Sequence, residues 1–149
     1  MIHDEICTYE VCKLAKEKGF PQQYDSLTHI YGGEDSFNVG IDLKYKKSEG
    51  TLFDIIEWSP CLNDIAAPTQ SLLQRWLREE KGVVIEAIAY PTCSNNKKNC
   101  YWWSIKQNSD GICYQYEECS DILYGFGFAF DTYELALEDA LDYSLKNLV

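Results

Sequence analysis

Seven cysteines, at positions 7, 12, 61, 93, 100, 113 and 119, are the residues of this chain best able to do chemistry. Their odd number cannot close into a wholly paired disulfide framework, so at least one thiol stays free. Cys93, Cys100, Cys113 and Cys119 fall in one stretch, but their intervals of 7, 13 and 6 lack the paired C-x2-C knuckles that grip a structural zinc ion. Cys7-x4-Cys12 is too wide for a redox C-x-x-C pair. The expectation is a set of small, semi-buried apolar side chains in a reducing compartment, with no metal bound.

Proton transfer usually recruits histidine, and the chain has two: His3 near its start and His29 in a stretch without periodicity. Both read as exposed polar residues. Cys61 with His29 would make a thiol–imidazole pair, yet nothing in the spacing singles it out. Asp54 and Glu57 read as solvated carboxylates. Gly125-Phe126-Gly127 lacks the third glycine of a dinucleotide loop, and no Walker loop, H-E-x-x-H or G-x-S-x-G occurs. No catalytic, cofactor-binding or metal-ligating residue is therefore assigned, and the leading expectation is that the chain is not an enzyme. A small cysteine-dependent enzyme stands as an alternative.

Aromatic residues, 14% of the chain, say more. Trp102 and Trp103 are adjacent in an apolar run that reads as a strand, where successive side chains take opposite faces. Parity joins Trp103 to Ile105, Tyr114 and Tyr116, and leaves Trp102 with Ser104, Lys106, Gln115 and Glu117. A tryptophan on an otherwise polar face is either covered by another part of the chain or is the anchor of a protein interface. Those five residues, Trp102, Ser104, Lys106, Gln115 and Glu117, form the candidate interaction surface.

Periodicity and turn residues mark helices and strands along the chain. Residues 8–18 read as a helix capped by Thr8, with Val11, Leu14 and Ala15 as its apolar stripe and Gly19-Phe20-Pro21 as its stop. Residues 21–38 show no period. Residues 39–46 alternate as a half-buried strand, and 51–58 read as its hairpin partner. After a connection at 61–67, Pro68-Thr69 opens a second helix with Leu72, Leu73, Trp76 and Leu77 on one face, closed at Lys81-Gly82. Residues 83–90 read as a strand. Residues 100–107 and 112–117 flank Asn108-Ser109-Asp110-Gly111, a strong hairpin signal. A two-residue loop at Ser109-Asp110 pairs positions summing to 219, whereas Asp110-Gly111 gives 221; both keep the same faces. Asp131 reads as the cap of a last helix, with Glu134 reaching back and Tyr133, Leu137, Ala140, Leu141, Ser144 and Leu148 as its stripe.

The 149 residues, 46% of them apolar and 25% charged, suit a single globular domain, with an α-β-β portion at 1–60 and an α-β-β-β-α portion at 68–149. The expected class is α+β, an antiparallel sheet with helices on one face. The second portion resembles in its element order the double-stranded-RNA-binding domain. In that family lysines at the start of the last helix meet phosphates; here residues 131–149 hold five acids and one base. With a net charge of −11 overall, neither nucleic acid nor an anionic membrane is an expected partner. No run approaches a membrane span, and Met1-Ile2-His3-Asp4-Glu5 lacks the features of a signal peptide, so a cytoplasmic location is expected.

Pro68-Thr69-Gln70-x4-Arg75-Trp76-Leu77-Arg78, followed by Phe130-Asp131-Thr132-Tyr133-Glu134-x-Ala136-Leu137-Glu138-x-Ala140-Leu141, resembles a group of small acidic proteins of gut Bacteroides-group bacteria, their phages and mobile elements. The likeness covers about the last 80 residues. It implies cytosolic residence and a mobile-element origin, and it carries no catalytic residue across. The leading expectation is a non-enzymatic module that binds a protein, a second copy of itself among the candidates, without cofactor. The first alternative is an acidic decoy that mimics nucleic acid, although the charge is spread along the chain.

Overall fold

In the computed structural model the described residues are 4–23, 27–32, 50, 52–54, 63–90, 100–109, 112–117 and 130–149. They gather into two compact units, Met1–Thr69 and Gln70–Val149. Both are α+β with an antiparallel three-stranded sheet. Among the described residues no helix is long and apolar enough to cross a membrane.

The first unit holds α1 (Tyr9–Glu17), β1 (His29–Tyr31), β2 (Leu52–Asp54) and β3 (Ile65–Ala67). Helix α1 forms where expected and ends at Gly19, whose φ of +91° suits a residue without Cβ. Two details differ from the expectation. The Thr8 side chain makes no capping bond, and the buried stripe is Val11, Cys12 and Ala15, with Leu14 only half-buried. A cysteine thus fills a core position as a small apolar side chain would.

The sheet order is β2-β1-β3, so the central strand lies in the stretch that lacked periodicity. Leu52–Asp54 pairs with His29–Tyr31; the alternating run at 39–46, its expected partner, lies outside the described residues. Ile65–Ala67, expected to be a connection, is a fully buried strand. Three residues cannot display a period, which is why β1 and β3 were missed. Tyr31 ties the sheet to the chain before α1: its hydroxyl donates to the Cys7 carbonyl at 2.9 Å, and its ring meets Tyr9 edge-on at 5.5 Å.

The second unit runs α2 (Gln70–Lys81), β4 (Val83–Tyr90), β5 (Cys100–Ser109), β6 (Ile112–Glu117) and α3 (Tyr133–Asn147), in the sheet order β4-β5-β6. Both helices pack on one face of this sheet and against each other. Leu73, Trp76 and Leu77 of α2 meet a core of Val83, Ile85, Trp103, Ile105, Leu137, Ala140, Leu141 and Leu145, all buried. Leu72 is only half-buried. Gly82, at φ +67°, reverses the chain from α2 into β4.

The hairpin register is Ser104 with Glu117 and Ser109 with Ile112, a sum of 221, which selects Asp110-Gly111 over Ser109-Asp110 as the two-residue loop. Asp-Gly takes the left-handed backbone of a type I′ turn more readily than Ser-Asp does. The cap of α3 also moves. Thr132, extended at φ −134°, accepts from the Leu135 N–H at 3.1 Å through its hydroxyl, so Thr132 and not Asp131 is the cap. Glu134 then falls one position short of the site a capping box requires. Tyr133, in the first turn, is exposed with its ring edge-on to Tyr101 at 6.4 Å, and Ala136 and Leu145 join the buried stripe.

Candidate interaction surface

The β4–β5 pairing sets Ile85 opposite Ile105 and Ala87 opposite Trp103 on the helix side, and Glu86 opposite Ser104 and Ile88 opposite Trp102 on the other. The parity argument therefore holds for β5. Trp103 is 2% exposed, and its indole N–H donates to the Asp139 carboxylate of α3 at 2.7 Å. Trp102 points away from the helices and is half-buried beside a half-buried Ile88.

Lys106, half-buried, reaches diagonally to the Glu86 carboxylate at 3.1 Å, an exposed pair whose contribution is about 0.2–1 kcal/mol. Ser104 departs from the expectation of an open polar surface, being 4% exposed. It lies on the central strand, with Glu86 and Glu117 opposite in register and Trp102 and Lys106 two residues away along the same face. Its Oγ has no hydrogen-bond partner among the described residues. Gln115 and Glu117 take the same face by register, opposite Lys106 and Ser104.

The face is not purely polar. Val84 on β4 is exposed and shares it with Ile88 and Trp102. Sequence reasoning assigned the β5 and β6 members but missed Val84 and Ile88, because the β-branched run at 83–90 shows no alternation to mark an outer face. Tyr114, assigned to the core side with Trp103, is exposed.

No family model, curated protein or solved structure matches the chain.

Among the described residues, no group of three or more histidine, cysteine, aspartate or glutamate side chains could hold a metal ion. Cys7 and Cys12 are buried and Cys113 is exposed. His29 sits in β1, half-buried, with Nδ1 2.7 Å from the Thr28 hydroxyl, rather than in an exposed loop. His3 and Cys61, and with Cys61 the thiol–imidazole pairing, lie outside the described residues, as do Cys93, Cys119 and the Gly125-Phe126-Gly127 stretch.

Proposed function

We propose that this chain is a non-enzymatic, cytoplasmic protein-interaction module, and that the outer face of β4–β6, centred on Trp102, is the surface that meets a protein partner. The observation that carries this reading is the cross-strand pair Ile88–Trp102, half-buried on the face turned away from the two helices. The helices supply the core of the unit on the opposite face, so a tryptophan here is not needed to complete it. Tryptophan set among polar residues is the composition of an interface anchor, and the Glu86–Lys106 pair gives the rim charges that fix orientation.

The unit follows the element order of the double-stranded-RNA-binding domain, and we infer a likeness of layout without its RNA contact. Asp131, Glu134 and Asp139 are exposed at the start of α3, where a phosphate-binding surface needs lysines.

The test compares affinity capture by the tagged chain with capture by Trp102→Ala and Lys106→Glu, each verified as folded by circular dichroism. Proteins retained by the parent and lost with both variants support the reading. Equal retention by all three overturns it.

A further inference from the structure

The outer edge of β4 carries a second surface, which shares Ile88 with the Trp102 face. In β4–β5 the Asn108 N–H donates to the Gly82 carbonyl, and in β5 the N–H and C=O of Tyr101 both bond to Phe130, on the side away from β4. Even-numbered residues of β4 therefore bond to β5, and Val83, Ile85, Ala87 and Ala89 direct their N–H and C=O groups away from the sheet. The Ile85 carbonyl is closed off: the Gln74 side-chain amide of α2 donates to it at 2.8 Å. Beyond Ile85 the edge is open among the described residues, with Ala89 exposed and Ala87 half-buried.

We propose that this open edge pairs with the same edge of a second copy, antiparallel about a two-fold axis at Ile88, joining two three-stranded sheets into one of six strands. The segment Glu86-Ala87-Ile88-Ala89 is what points to a second copy. Ala-Ile-Ala reads the same in both directions, so a two-fold at its centre sets Ile88 against Ile88 and each Ala87 against the other copy's Ala89. Both alanines lie on the helix side, where their small side chains let the strands approach. The Ala87–Ala89 pairs are the ones that exchange both backbone bonds, because their groups face outward. Ile88 forms the close pair between them, next to Trp102 on the adjoining strand.

The same register keeps the charges apart. Glu86 falls opposite Tyr90, not opposite the other Glu86, which matters for two chains that each carry −11. An axis two residues nearer the start of the strand would oppose the two glutamates and would need the Ile85 carbonyl that Gln74 already occupies. The pairing ends past Ala89, because the next odd position is Pro91, which has no N–H to donate. Strand addition at an uncovered edge then uses backbone groups that otherwise face water.

The experiment is analytical ultracentrifugation of the full chain over a wide concentration range, in enough salt to screen the repulsion between copies. The parent should show a reversible monomer–dimer equilibrium. Ala89→Pro removes an outward N–H without touching the β4–β5 bonds and should abolish the dimer. Ile88→Asp opposes two carboxylates and should weaken self-association about tenfold or more. Should the proline variant fold poorly, Ile88 alone decides: mixing Ile88→Asp with Ile88→Lys should restore a heterodimer that neither forms alone. A parent that stays monomeric, a dimer indifferent to Ile88→Asp, or a mixture that does not pair overturns the proposal. Ala89→Pro changes no side chain of the Trp102 face, so a lost dimer with retained capture, or the reverse, separates the two proposals.

Discussion

At the scale of single residues, the tryptophans illustrate how position along an element decides energetic weight. Trp76 lies on the buried stripe of α2 with the Lys81 ammonium 5.2 Å from its ring, whereas Trp102 lies on the outer face of the sheet and is only half-buried. Trp76→Ala leaves a cavity among packed side chains and should cost about 3–5 kcal/mol. Trp102→Ala should cost less than half as much, because part of its surface already faces outward. Denaturant midpoints of the two variants measure the contrast, and equal losses would make Trp102 a core residue. This difference was legible in the sequence, because helix and strand periods assign faces directly. The Trp103–Asp139 bond was not, since it joins residues 36 apart whose meeting depends on how α3 lies on the sheet.

At the scale of elements, the start of α3 separates two neighbouring candidates for one role. Thr132→Ala removes the acceptor for the Leu135 N–H and should destabilise by about 1 kcal/mol, while Asp131→Ala, one residue before the cap, should cost well under half of that. A larger loss at Asp131 would return the cap to that residue. At the end of α2, Gly82→Ala should also cost about 1 kcal/mol. Among the described residues a Cβ there meets only the Asn108 carbonyl oxygen at 3.7 Å, so the penalty is the left-handed backbone and not a clash; thermal unfolding of the variant measures it. Helices of nine residues or more and strands of six or more announced themselves through periodicity, β-branched runs or turn chemistry. The strands His29–Tyr31 and Ile65–Ala67 did not, because their pairing partners lie far away in sequence and each is too short to alternate visibly. The hairpin loop was legible as two alternatives, and the register of β5 with β6 decided between them.

For the molecule as a whole, thiols and charge make the testable statements. Cys7 and Cys12 are almost wholly buried in the first unit and Cys113 is exposed in the second. A brief alkylation of the native protein, mapped by mass spectrometry, should label Cys113 and spare Cys7 and Cys12 until denaturant is added; early labelling of Cys12 would show that α1 opens readily. Charge governs the last expectation. Phosphate backbones bind where lysines and arginines displace condensed counterions, and affinity falls steeply with salt. Here the net charge is −11, and the first turns of α3 expose Asp131, Glu134 and Asp139. Arg75 on α2 is paired with Glu79 at 2.9 Å, which takes up part of that helix's positive charge. Duplex RNA and duplex DNA should therefore pass the immobilised protein unretained at moderate salt, and lowering the salt should deepen the repulsion instead of rescuing binding. Salt-sensitive retention of duplex RNA, lost when Lys97 and Lys98 are replaced by glutamine, would show that a local basic patch outweighs the field of the whole chain.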